Sequence, residues 1–141
     1  MAKKPVRIVL AKLGLDDHTR PLHVLSYAFR DAGMEVIYLG CFQTPQTVID
    51  TAAIEDADLI GLSFHTVSYF GWIDETLKLL KEKKLMGKIG VLVGGTIPPE
   101  DEPNLKKIGV DGVFLPGESL ISVTDRIKQV VAKLRTNQGA V

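Results

Sequence analysis

Five short, largely apolar runs alternate along the chain with segments whose apolar residues recur at helical spacing, and no hairpin signal separates any two of the runs. The alternation predicts an α/β domain. Its expected form is a doubly wound, five-stranded parallel sheet in the order 2-1-3-4-5 with helices on both faces, because each crossover between parallel strands is right-handed and buries its helical stripe on the sheet. With 141 residues the chain has enough length for one such domain and its core.

Each element has its own justification. Val6-Arg7-Ile8-Val9-Leu10-Ala11 is short and β-branched, as a strand buried on both faces should be. Leu22, Leu25, Phe29 and Ala32 then mark one face of a helix that starts at Pro21 and stops at Gly33. Glu35 to Leu39 predicts the second strand, and Thr44-Pro45 forms an N-cap and first-turn pair for a helix striped by Val48, Ile49, Ala52 and Ala53. Leu59 to Ser63 is the third strand, and the helix expected after Trp72 carries Ile73, Leu77 and Leu80 on one face with lysines on the solvated one. Ile89 to Val93 is the fourth strand, ending at Gly94-Gly95, with a short helix expected near Asn104 to Ile108 and a stop at Gly109. Val113-Phe114-Leu115 is the fifth strand, and Leu120, Thr124, Ile127, Val131 and Leu134 mark the last helix. The expected domain covers residues 1–134, with 135–141 a frayed tail.

Composition narrows the partners. Lys+Arg and Asp+Glu are equal at 17 each, so no basic excess draws the chain to nucleic acid or an anionic membrane. Cys41 is the single cysteine, which excludes an internal disulfide framework and fits a reducing compartment. No apolar run reaches transmembrane length, and the N-terminal lysines lead into a strand instead of a signal region. A cytoplasmic protein with no nucleic-acid or membrane partner is expected.

In this architecture ligands bind beyond the carboxyl ends of the strands, at the switch point between the first and third. Four segments fall there: the Asp16-Asp17-His18 loop, Ser63 with the residues after it, Gly94-Gly95, and Pro116-Gly117. The spacing of Asp16 and His18 lets the carboxylate accept a hydrogen bond from the imidazole and fix its tautomer, as happens behind a metal-bound histidine. Alone, the pair reads most simply as a solvated or helix-capping one, Gly94-Gly95 as a plain turn and Ser63 as a satisfied hydroxyl; their joint placement favours a ligand site. Common tenants of the fold fit poorly. A phosphorelay receiver needs an aspartate where Ser63 stands, a flavodoxin needs small donors in the first loop, and a dinucleotide domain needs Gly-x-Gly-x-x-Gly there.

Asp16-Asp17-His18-Thr19-Arg20-Pro21, Ser63-Phe64-His65 and Gly94-Gly95 resemble the Asp-x-His-x-x-Gly, Ser-x-Leu and Gly-Gly motifs of cobalamin-binding domains. Leu10-Ala11-Lys12-Leu13-Gly14, Phe42-Gln43-Thr44-Pro45 and Val93-Gly94-Gly95-Thr96-Ile97-Pro98-Pro99 extend the likeness, over nearly the whole chain, to the methylmalonyl-CoA mutase family of acyl-CoA mutases. The resemblance implies a flavodoxin-like fold holding adenosylcobalamin base-off and histidine-on. His18 would ligate cobalt, Asp16 would orient it, and the displaced dimethylbenzimidazole tail would enter a slot beside the first strand. Asp17, Ser63, His65, Gly94, Gly95, Phe114, Pro116 and Gly117 would complete the cofactor site, with no catalytic residue in this chain. It further implies a small subunit of an isomerase, active with a large barrel-type subunit that binds the acyl-CoA and in which the carbon skeleton rearranges by a radical route.

Several residues depart from the family pattern. Pro21 replaces the last glycine of the first motif, Asp17 stands where glycine is usual, Glu118 where threonine is common, and His65 replaces the leucine of Ser-x-Leu. Thr66-Val67-Ser68-Tyr69-Phe70 is bulkier than the corresponding stretch, and Tyr69, Phe70 and Trp72 read either as packing under a loop or as a subunit contact. The alternatives are a methyl-carrying corrinoid protein, which usually has a helical domain ahead of the fold where this chain already has a strand at Val6, and a B12 sensor or degenerate homologue.

Overall fold

The structure, a computed structural model, describes residues 4–66 and 68–139. In chain order the elements are β1 (Arg7–Leu13), α1 (Arg20–Asp31), β2 (Glu35–Gln43), α2 (Pro45–Ile54), β3 (Leu59–Phe64), α3 (Tyr69–Glu82), β4 (Gly90–Gly95), a 3-10 turn (Pro99–Asp101), α4 (Glu102–Ile108), β5 (Gly112–Phe114) and α5 (Leu120–Gly139). All strand pairs are parallel and the sheet order is β2-β1-β3-β4-β5. The expected order is the observed one.

Strand alternation divides the core in two. Val9, Ala11, Ile60, Leu62, Val91 and Val93 point to the face covered by α2, α3 and α4, where Val48, Ile49, Ile73, Leu80 and Leu105 meet them. Ile8, Leu10, Leu59 and Leu92 point to the other face, where Leu22 and Phe29 of α1 and Val123, Ile127 and Val131 of α5 cover them. Thr44 caps α2 as its sequence predicts: its hydroxyl accepts from the Thr47 amide at 3.2 Å. Pro21 sits in the first turn of α1, where its missing N–H costs nothing.

The differences from the expected boundaries lie at the carboxyl edge of the sheet and at the chain end. β1 and β2 each run further than predicted, with register irregularities after Leu10 and Ala11 and positive φ at Gly40 (79°) and Phe42 (61°). The irregular pairing prolongs β1 through Lys12 and Leu13. Helix α3 starts at Tyr69, ahead of the predicted start after Trp72, and the buried Tyr69 hydroxyl donates to Asp101. Helix α5 continues past Leu134 to Gly139, so the segment expected to fray from Arg135 is helical through that residue; residues 140–141 lie outside those described. Arg135 holds it down by donating to the Lys4 and Pro5 carbonyls at 2.9 and 3.2 Å and to Asp58 at 3.1 Å. Among the described residues no helix is long and apolar enough to cross a membrane.

Candidate functional site

Parallel strands bring all five carboxyl ends to one edge, so loops distant in sequence converge there. The residue facing α1 and α5 one step beyond Leu10 on β1 is Lys12; on β3 it is Ser63, and on β4 it is Gly94. That row replaces large aliphatic side chains with a cation, a hydroxyl and a hydrogen atom. The helices cannot close down on it. What remains is a cavity of about 400 Å³ between the sheet and helices α1 and α5, walled by aliphatic side chains such as Leu10, Leu25 and Leu92 and by Phe114, and reaching Ser63, His65, Gly94, Gly95 and Pro116 at its open end. Its volume lies in the range of small-molecule sites.

Ser63 and His65, which line this cavity, join Lys12, Asp16 and His18 in one network of five side chains. Lys12 is fully buried, and its Nζ lies 2.9 Å from His65 Nδ1, 3.3 Å from Ser63 Oγ and 3.4 Å from Asp16 Oδ2. Asp16, also buried, accepts at Oδ2 from the His65 amide at 2.8 Å. Its Oδ1 accepts from the His18 amide at 3.1 Å and from His18 Nδ1 at 2.9 Å. Burial alone would raise the Asp16 carboxyl, but the His65 amide, the His18 ring and amide and the Lys12 charge together hold it well below the usual carboxylate range. Burial lowers the Lys12 pKa, with Asp16 acting in the opposite sense.

The His18 ring is 61% exposed, and its Nδ1–H is committed to Asp16. Its Nε2 lone pair is therefore the one available to a metal, with a buried carboxylate behind it to raise its basicity. Asp17 is turned outward, 3.9 Å from His18 Nδ1, and belongs with Asp16 and His18 to a group of possible metal ligands whose atoms lie within 4.8 Å.

The other predicted positions sort clearly. Gly95 has φ +115°, and a Cβ there would stand 1.9 Å from the Phe64 carbonyl oxygen, so only glycine lets β4 leave the sheet at this point. A Cβ on Gly94 would meet only ordinary contacts with Phe114, at 3.5 Å. Phe114 walls the cavity with the Arg126 guanidinium 4.5 Å over its ring, whereas Gly117, at φ +89°, makes an exposed turn and is not part of the wall.

The departures from the family pattern are accommodated. Pro21 lies in the wall as the first turn of α1. Glu118 is tied to α5 through Arg126 at 2.6 Å and Ser122 at 2.7 Å. His65, half-buried, bonds to Lys12 and stacks on His18 with ring centroids 5.4 Å apart. Of the aromatic group, Tyr69 is buried, Trp72 packs under Gly14 where a Cβ would stand 2.9 Å from its ring, and Phe70 is exposed; Val67 lies outside the described residues.

Lys12 is the site residue that sequence reasoning missed. The signal was available: a lysine one step beyond Ile8 and Leu10 on a strand buried on both faces needs a charged partner.

The B12 binding domain model matches residues 6–123. The chain belongs to the B12-binding domain family. It is 39% identical over 132 residues to the 2-hydroxyisobutanoyl-CoA mutase small subunit of Aquincola tertiaricarbonis, covering 94% of this chain and 96% of that one. It is 33% identical to the pivalyl-CoA mutase small subunit of Xanthobacter autotrophicus, covering 96% of this chain and 90% of that one. A novel cobalamin-binding protein from Desulfitobacterium hafniense shares the fold, with a TM-score of 0.76 at 22% identity over 90% of this chain and 60% of that one. The apolar cavity and the His18–Asp16 pair lie at the same edge of the sheet, joined through His65.

Proposed function

We propose that this chain is the cobalamin-binding small subunit of an adenosylcobalamin-dependent acyl-CoA mutase, an isomerase that works in the cytoplasm with a larger, barrel-type partner holding the acyl-CoA. The observation that carries the reading is His18, exposed, with Nδ1 bound to buried Asp16 and its ring stacked on His65, which lines the apolar slot. In the histidine-on mode His18 Nε2 would hold the cobalt, and the slot between the sheet and helices α1 and α5 would take the displaced nucleotide tail. Gly94 leaves room for that tail, Gly95 turns the chain beside it, and Ser63 and Phe114 bound it. When bound, the cofactor supplies a cobalt–carbon bond that breaks homolytically. The chain's own residues bind, orient and shield it.

Two features support a partner. Small subunits of named acyl-CoA mutases match this chain over nearly their whole length. Around the same edge, Leu15 is 93% exposed, and Phe42 and Phe70 also project into solvent. Apolar side chains gathered at the rim of a cofactor site suit burial against a larger subunit.

Mixing the purified chain with adenosylcobalamin and recording the visible spectrum tests the reading. Wild type is expected to shift the cofactor to the base-off form, and His18→Ala to weaken binding at least about tenfold. An unshifted spectrum with wild type, or identical spectra and affinities for the two proteins, overturns it.

A further inference from the structure

His65 has no role in the reading above beyond forming part of the slot, yet it touches His18 and both members of the ion pair behind it. Its amide donates to Asp16 Oδ2 at 2.8 Å, its Nδ1 lies 2.9 Å from Lys12 Nζ, and its ring stacks on that of His18 at 5.4 Å and 26°. An ammonium can only donate, so His65 Nδ1 accepts and its ring proton sits on Nε2. His18 has the opposite tautomer, with Nδ1–H donated to Asp16.

The distances around Lys12 are unequal. Its contact with the neutral imidazole, 2.9 Å, is shorter than its contact with the carboxylate, 3.4 Å. Between a cation and two acceptors, the carboxylate is the stronger attractor and would ordinarily take the short bond. Here the imidazole holds the ammonium back. A carboxylate less engaged by Lys12 keeps more negative charge for the His18 Nδ1–H bond, and that makes Nε2 a better donor to a metal.

We propose that His65 is a positioning residue that sets the strength of His18 as a metal ligand: it takes the Lys12 ammonium as hydrogen-bond acceptor, leaving Asp16 to His18, and its stacked ring limits rotation of the His18 imidazole. The inference rests on cobalamin binding through His18. Substitution by leucine removes both effects, lets Lys12 close on Asp16 and loosens the ligand ring. Asparagine retains an acceptor near the place of Nδ1 without the ring.

The test uses the full chain, labelled with ¹⁵N and loaded with cob(II)alamin, read by electron paramagnetic resonance and by equilibrium binding. In wild type, splitting by an axial ¹⁵N nucleus reports a protein nitrogen on cobalt, and His18→Ala removes it. His65→Leu is expected to weaken cobalamin binding about tenfold and to reduce the fraction of protein showing the ¹⁵N splitting, while His65→Asn recovers most of both. Loss of packing in the slot alone would not alter the axial-nitrogen signature and would not be repaired by asparagine. Wild-type affinity and splitting in His65→Leu overturn the inference, as do equal losses in the leucine and asparagine variants. If wild type itself shows no ¹⁵N splitting and matches His18→Ala, the ligand assignment falls and this inference with it. Intact wild-type splitting beside an unchanged His65→Leu overturns the role of His65 alone.

Discussion

The two faces of the sheet are built from the same strands and yet differ at one end. Toward α2, α3 and α4, apolar side chains run along β1 and β3 almost to the carboxyl edge, from Val9 to Leu13 and from Ile60 to Phe64, and the face is filled. Toward α1 and α5, the aliphatic rows stop at Leu10 and Leu92, and beyond them stand Lys12, Ser63 and Gly94. The first face provides the packing that stabilises the domain. The second leaves a slot of about 400 Å³ and, bonded to the Ser63 that lines it, a buried ion pair that a purely structural core would have no reason to contain. The candidate site occupies the half-face where packing was given up.

Gly94 and Gly95, adjacent on β4, bear most directly on that contrast. Gly95→Ala places a Cβ 1.9 Å from the Phe64 carbonyl oxygen at φ +115° and should destabilise the chain by about 3–5 kcal/mol in urea denaturation. A midpoint close to wild type would show that the strand end tolerates a side chain, and the two glycines would then be equivalent.

Asp16→Asn tests the ion pair. It leaves the buried Lys12 ammonium without its carboxylate, and a loss of about 2–4 kcal/mol near pH 7 is expected. Because folding holds the Asp16 pKa below its unfolded value, its contribution is present above pH about 4 and is lost as pH falls through that value toward the folded pKa. Urea midpoints of the two proteins should therefore approach each other between about pH 5 and the acid limit of folding, to about the same extent as they separate at neutrality. A difference that stays constant with pH assigns the loss to shape instead of charge.

The smallest effect on stability is expected from Gly94→Val. Its side chain would enter the slot with only ordinary contacts nearby, so the apo protein should stay within about 1 kcal/mol of wild type while cobalamin binding weakens about tenfold or more. Unchanged binding by isothermal titration would place the nucleotide tail elsewhere.

Much of this was legible in the amino-acid sequence. The order of strands and helices follows from the periodicity of apolar residues, the start of α2 from Thr44-Pro45, and the pairing of Asp16 with His18 from a separation of two residues, because each depends on neighbours within one or two turns of chain. The motif residues also fall together at one edge of the sheet, since every parallel strand ends there. Boundaries set by distant partners were not legible. The helix start at Tyr69 depends on Asp101, and the persistence of α5 beyond Leu134 depends on Arg135 reaching the carbonyls of Lys4 and Pro5.

A doubly wound sheet, the edge where its loops gather and the spacing of the pair that would hold a metal all follow from periodicity and local spacing. What stands behind that pair depends on contacts between distant strands. The irregular β1–β2 pairing carries β1 on through Lys12, and the β1–β3 pairing brings that residue beside Ser63 and His65, about fifty positions away in the chain. Local propensity has no information about such a meeting, because the free energy of a buried charge depends on which polar atoms the fold brings within reach of it.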